Sequence, residues 1–305
     1  MKSLNECWLS MGVFNQAVDS LLELPENYEE IFEFLDEHYS ENRDPWGLNH
    51  QVIKSGGGLK MVWLLYKHYF RVRLFGAEKV QNHPYMVVGN HTGQIAIDGA
   101  LLYCAFLTQI HPPRVLRAMV ERIIPTMPFC GNLVAEYGAV LGDRQNCNRL
   151  IENGESLLVF PEGVRGVAKN TSHFYQVQPF SKGFYRMALI HHTPILPCAI
   201  VGCEEMYPYV YHPRWLAQKF GIPALPLSAS LLLGPLGVLP LPSPVDIIIG
   251  DPIELPKDLN VDSPDKDIEP HVAEIEAIIQ DMLRTGLKNR RPFKELIGLP
   301  DQREI

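Results

Sequence analysis

Six short apolar runs, each stopped by a glycine, a proline or a polar turn, restrict this chain to a layered α/β architecture. YMVVGN (85–90) ends in Gly-Asn, and SLLVFP (156–161) is closed by Pro161. VLRAMV (115–120), AVLG (139–142), ILPCAIVG (195–202) and VDIIIGDPI (245–253) complete the set. Runs this short suit strands buried on both faces. QIAIDGALLYCAFL (94–107) and GFYRMALIHH (183–192) read as helices between them. Residues 266–287 read as a closing helix with Ile268, Val272, Ile275, Ile279 and Met282 on one side. Strands alternating with helices predict one α/β domain.

Two amphipathic helices, 3–22 and 26–38, are expected before that domain. Ile31, Phe32, Phe34 and Leu35 supply a buried stripe, and Glu29, Glu30, Glu33, Asp36 and Glu37 a wet face. RDPWGLN (43–49) is a turn-rich link, and Gly56–Gly58 opens a new segment. The division expected is an acidic helical extension over 1–56 and a catalytic domain over 57–305. The net charge of −8 belongs to this extension: residues 1–44 hold eleven acids and two bases, and the rest holds 25 bases and 24 acids. The main domain is therefore close to neutral and free to meet an anionic surface. No nucleic-acid partner is expected.

None of the six cysteines forms a C-x-x-C pair, and several sit in apolar runs, as reduced, buried thiols do. The N-terminus lacks the basic-then-apolar layout of a secretory signal. The longest uncharged run, 220–245, contains six prolines, too many for a membrane-spanning helix; it reads as a non-helical apolar excursion. LKMVWLLYKHYFRVRLF (59–75) interleaves aromatics with bases. It suits either a helix lying in a membrane interface or a core helix followed by a strand.

Three constellations carry chemistry. In GNHTGQIAIDGALL (89–102), His91 follows a strand end and Asp98 comes seven positions later. On one straight helix such residues lie about 10.5 Å apart along the axis, so contact requires a turn, which Thr92-Gly93 permits. A paired aspartate would aim the imidazole as a general base, worth about 10²–10⁴-fold in rate. Without pairing, His91 is a structural turn residue and Asp98 an ordinary helix position. In LLVFPEGVRG (157–166), a buried strand delivers Glu162, Gly163 and Arg165 at its C-terminal end, where α/β sheets bind ligands. An arginine there can fork onto a phosphate; Pro-Glu-Gly is also simply a good turn. YGAVLGDRQN (137–146) sets a second arginine, Arg144, at a strand end.

Together these blocks resemble the lysophosphatidic acid and glycerol-phosphate (PlsC-like) acyltransferase family over about residues 70–255. GNHTGQIAID (89–98), GAVLGDR (138–144), FPEGVRG (160–166) and TPILPCAIVG (193–202) look like its four blocks, and PFSKGFYRMAL (179–189) like the segment before the last. The family spacing would put the acid at Ala96, so Asp98 is the expected partner across a gap of six residues. The resemblance implies a mixed β-sheet flanked by helices, with a helical element before it. It implies that His91 is the general base and Asp98 its partner. Gly138, Arg144, Glu162, Gly163, Arg165 and Lys182 would line the substrate site. Donors for the oxyanion would be backbone amides near Gly93 or Gly163.

The expected activity is transfer of a fatty acyl group from acyl-CoA or acyl carrier protein to a (lyso)glycerolipid hydroxyl, foremost 1-acylglycerol-3-phosphate. No metal and no cofactor is expected. Val164 stands where threonine is common, which keeps neutral acceptors such as diacylglycerol or a fatty alcohol open. A catalytically silent lipid-binding protein is the alternative outside catalysis. The expected location is the cytoplasmic face of a membrane, peripheral or monotopic, with 59–75 and 220–245 as contact segments. Oligomeric state is not readable.

Overall fold

The computed structural model describes residues 23–291 except 40–42, 56–57, 93–95, 127–129, 208–209, 214, 216–218 and 220–226. The expected helix over 3–22, Gly56, Gly57, Gly93 and the start of the 220–245 run lie outside the described residues.

The elements run α1 (Tyr28–His38), α2 (His50–Lys54), α3 (Gly58–Leu64), β1 (Arg73–Phe75), β2 (Met86–Gly89), α4 (Ile97–Thr108), β3 (Leu116–Val120) and α5 (Cys130–Glu136). They continue with β4 (Val140–Leu141), α6 (Arg144–Glu152), β5 (Ser156–Val159), α7 (Val164–Val167), α8 (Gly183–His191), β6 (Ile195–Val201), β7 (Asp246–Ile249) and α9 (Asp265–Lys288). The seven strands form one sheet in the order β1-β7-β6-β2-β5-β3-β4. All neighbours are parallel except β6 and β7. The sheet is therefore mixed, and β1 and β7 run against the other five.

Side chains along β2 alternate between two cores. Val87 joins the core that holds α1 to α4, and Met86 and Val88 join the core under α6, α8 and α9. This period of two is what a strand covered on both faces produces. α4 is apolar almost all round because it is enclosed: every residue from Leu101 to Thr108 is buried. α9 closes the second core with Ile268, Val272, Ile275, Ile279 and Leu283. Leu283 rather than Met282 completes that stripe, since Met282 is only partly buried.

Residues before 57 share the main core. Ile31, Leu35, Leu48 and Ile53 pack in the cluster that contains Val87 and Leu158. A buried ionic knot fixes them: Arg117 on β3 reaches Asp44 at 2.6 Å and Glu155 at 3.1 Å. The Tyr39 hydroxyl donates to the second oxygen of Glu155 at 3.0 Å. Segment 59–75 is a core helix followed by a strand: α3 runs into a five-residue π-helical turn (Leu65–Tyr69) and then β1. Leu59, Trp63, Tyr66 and Phe70 are buried, with Trp63 stacked on Tyr66. Among the described residues, no helix is long and apolar enough to cross a membrane.

Candidate active site

Three neighbouring parallel strands end at one edge of the sheet. There β2 runs out into Asn90 and His91, β5 into Phe160 and Glu162, and β6 into Gly202 and Glu204. Asn90 is buried and stitches two of these ends together, donating to the Ile200 carbonyl at 3.1 Å and accepting from the Ile200 amide at 2.8 Å. The carboxyl ends of such strands are where an α/β sheet presents ligand-binding groups.

His91 stands in the loop after β2, and Asp98 lies in the first turn of α4. His91 Nδ1 is 2.7 Å from Asp98 Oδ2. The same oxygen accepts the Thr92 amide at 2.7 Å, and the other accepts the Gly99 amide at 2.8 Å. Asp98 is 0% exposed, so these three donors are what compensates its burial. Against a carboxylate, Nδ1 carries the proton and Nε2 presents a lone pair. The His91 ring lies flat on Phe160, centroids 4.3 Å apart and planes 9° from parallel.

The backbone of His91 is held as well. Its amide donates to Glu162 Oε1 at 2.8 Å, and its carbonyl accepts from Lys169 Nζ at 3.1 Å. Lys169 Nζ also sits 3.0 Å from Glu162 Oε2 and 3.4 Å from Glu204 Oε1. Glu162 Oε2 takes the Gln178 amide at 2.8 Å, and Glu204 Oε2 takes the Tyr175 amide. Burial pushes the Glu204 carboxyl up to about 7 against the opposing pull of Lys169. Gly166 presses on His91 from the side: a Cβ there would lie 2.6 Å from the His91 Cβ. The loop 160–169 thus surrounds His91 with a ring, a carboxylate, a glycine and an ammonium. The nearby Cys203 thiol is held well above its ordinary range, first by burial and then by the Asp98 charge. It stays protonated and makes a poor nucleophile.

Several residues expected to line a substrate site do other things here. Glu162 is 1% exposed and its oxygens are engaged by His91, Gln178 and Lys169, so it anchors the His91 loop rather than facing a ligand. Gly138 is buried at φ +92° with its carbonyl taken by Arg117 at 3.0 Å, and a Cβ would strike Leu48. It serves a close packing contact behind the sheet. The Gly163 amide donates to the Phe160 carbonyl at 2.9 Å, so it is not a free oxyanion donor; Gly93 lies outside the described residues. Lys182 is paired with Asp265 and Glu269 on α9. Arg165 is exposed and donates to the Pro179 carbonyl at 2.8 Å. Arg144 is the first residue of α6, capped by Asp143, rather than the end of a strand. Its exposed guanidinium has no partner among the described residues.

Sequence reasoning passed over Phe160, Gly166, Lys169 and Glu204. Phe160 and Gly166 lie inside the FPEGVRG block, where Gly166 could have been read as a close-approach residue. Lys169 and Glu204 carry no local signal.

The Acyltransferase family model matches residues 71–201, a span that contains both His91 and Asp98. An uncharacterized protein of Mycobacterium tuberculosis is 35% identical over 191 residues, 62% of this chain and 53% of that protein. The chain thus spans about half the length of the mycobacterial relatives it matches. A Bos taurus protein named DGAT1/2-independent enzyme synthesizing storage lipids is 27% identical over 224 residues, covering 72% of this chain and 61% of that one. Among solved structures, the 1-acyl-sn-glycerophosphate (LPA) acyltransferase PlsC of Thermotoga maritima aligns with a TM-score of 0.48 at 18% identity, over 76% of this chain and 82% of that chain. Residues 71–201, which hold the histidine and its aspartate at the sheet edge, are thus similar to the Acyltransferase family.

Proposed function

We propose that the chain is a membrane-associated O-acyltransferase that moves a fatty acyl group from acyl-CoA or acyl carrier protein onto a (lyso)glycerolipid hydroxyl. The observation that carries this reading is the 2.7 Å contact between His91 Nδ1 and the buried Asp98, within a span matching the Acyltransferase family. Nε2 takes the proton of the acceptor hydroxyl as its oxygen attacks the thioester carbonyl carbon. A tetrahedral oxyanion forms and collapses, the C–S bond breaks, and the imidazolium returns its proton to the departing thiolate. Asp98 stabilises the imidazolium between these steps. No covalent acyl-enzyme is needed, which agrees with a Cys203 thiol held protonated.

The first acceptor proposed is 1-acylglycerol-3-phosphate, because Arg144 offers an unpaired guanidinium suited to a phosphate. Arg144→Ala is then expected to raise KM for this acceptor about ten- to a hundredfold, one charge-assisted contact being worth about 1.5–3 kcal/mol, and to leave a neutral acceptor unaffected. The bovine relative's name, which speaks of storage lipids, favours a second reading with diacylglycerol as acceptor. Turnover of labelled acyl-CoA with 1-acylglycerol-3-phosphate, diacylglycerol and a fatty alcohol in parallel separates these readings. No turnover with any of the three acceptors, from acyl-CoA or from acyl carrier protein, would favour a silent lipid-binding protein.

A sixteen-carbon acyl chain prefers an apolar phase by roughly 12 kcal/mol at about 0.8 per methylene, so a lipid acceptor carrying such a chain is drawn from a bilayer. The described part of the 220–245 run supports membrane contact. Leu232 is 91% exposed, Leu239 60%, and Trp215 and Tyr211 nearby in sequence 68% and 59%. Tyr211 pairs with Leu227 through two backbone bonds, and the His212 amide donates to Asn170, next to Lys169. The greasy surface is thereby joined to the His91 loop. Leu232→Glu is expected to lower sedimentation with phospholipid vesicles severalfold while leaving the melting temperature unchanged, because the side chain is in solvent.

A further inference from the structure

The cluster behind His91 uses charges that the reaction itself does not need. Lys169 is 4% exposed and Glu204 1% exposed. An ammonium has three N–H donors, and Lys169 has three acceptors around it: Glu162 Oε2 at 3.0 Å, the His91 carbonyl at 3.1 Å and Glu204 Oε1 at 3.4 Å. Burying such a group is costly unless every partner is present. Apolar side chains of similar volume commonly serve packing as well or better, so packing alone does not call for this arrangement. Its geometry has a single focus. The His91 carbonyl is bound by the ammonium directly, and the His91 amide is bound by Glu162, whose other oxygen rests on that same ammonium.

We propose that Lys169 is a positioning residue for acyl transfer, its ammonium clamping the His91 backbone at both amide and carbonyl so that the imidazole meets the acceptor hydroxyl in one orientation. Glu204 is the counter-charge that holds the ammonium in place. Lys169 acts through His91 and touches no reacting atom. The inference rests on His91 being the general base.

The test uses the full chain with Lys169→Met, Glu204→Gln and the double variant Lys169→Met/Glu204→Gln, each assayed for kcat, KM and thermal unfolding, beside His91→Ala. Lys169→Met leaves Glu162 and Glu204 buried without their cation, so its melting temperature falls. The double variant removes one of the two uncompensated acids and recovers part of the loss. Its kcat nevertheless stays about ten- to a hundredfold below wild type, the scale expected when a catalytic group drifts by about 1 Å, with KM for both substrates within about twofold. Glu204→Gln alone loosens the ammonium but leaves it on Glu162 and the His91 carbonyl, so kcat falls less than in the double variant. A double variant with wild-type kcat overturns the proposal. One that cannot fold overturns it equally, because it assigns Lys169 to the fold. Activity that survives His91→Ala sinks the general-base reading instead, whatever the clamp variants do.

Discussion

Replacing Asp98 with asparagine is expected to lower kcat by about 10²–10⁴-fold while leaving KM nearly unchanged. The carboxylate accepts from three donors: His91 Nδ1, the Thr92 amide and the Gly99 amide. Asparagine has one accepting oxygen. Turned toward His91 and Thr92, it points its NH₂ at the Gly99 amide. Turned the other way, it points NH₂ at His91 Nδ1, and the imidazole must adopt the tautomer with Nε2 protonated. That tautomer cannot take a proton from the acceptor. Either choice sets a donor against a donor in a fully enclosed place, so stability falls by about 1–3 kcal/mol. Thiol release at saturating acceptor measures the first effect, and urea unfolding measures the second. Unchanged kcat in a folded Asp98→Asn protein would contradict the pairing.

The second large effect is expected from one methyl group. Gly166→Ala would put a Cβ 2.6 Å from the His91 Cβ, 2.9 Å from the Glu162 Cβ and 3.2 Å from the His91 carbonyl oxygen. None of these is the loose end of a flexible side chain, so the His91 loop must move away. Overpacking of this kind costs about 1–3 kcal/mol, and a shift approaching 1 Å at the base costs about 10²-fold in rate. Both losses should appear together, in thermal unfolding and in kcat. Wild-type kcat in Gly166→Ala would show that the tight fit around His91 does not matter to the chemistry.

Six of the seven strands, β2 to β7, were legible because each is a short apolar run with its own stop, whereas β1 is only three residues after a core helix. β2 ends at Gly89-Asn90, and β5 is closed by Pro161. α9 was legible from its spacing of apolar residues over six turns. α6 was not, because its start hides in a polar stretch, Asp143-Arg144-Gln145-Asn146, where Asp143 caps the helix by accepting the Asn146 amide at 2.8 Å. Arg144 therefore reads as a strand end when the chain is scanned for apolar runs alone. The aromatics of 59–75 fit two environments equally until the sheet supplies a core for Trp63, Tyr66 and Phe70 to enter.

The site divides in the same way. His91 and Asp98 sit close in sequence, and the turn between them is written in the chain. Lys169 lies in a stretch, Ala168-Lys169-Asn170, that looks like an exposed loop, and Glu204 is one of two adjacent glutamates after Gly202. They meet because β6 is the neighbour of β2, which in turn borders β5. That adjacency is a property of the sheet order, and no local pattern encodes it. Glu162 shows the same effect: a carboxylate after a strand looks free until the His91 amide and Lys169 are brought to it.

The most direct measurement is transfer of a labelled acyl group from acyl-CoA, or from acyl carrier protein, to a lipid acceptor that the wild-type chain accepts, run beside a folded His91→Ala protein. A loss of about 10²–10⁴-fold in kcat, with thermal unfolding intact, is the predicted result. Transfer at the wild-type rate by His91→Ala would contradict it.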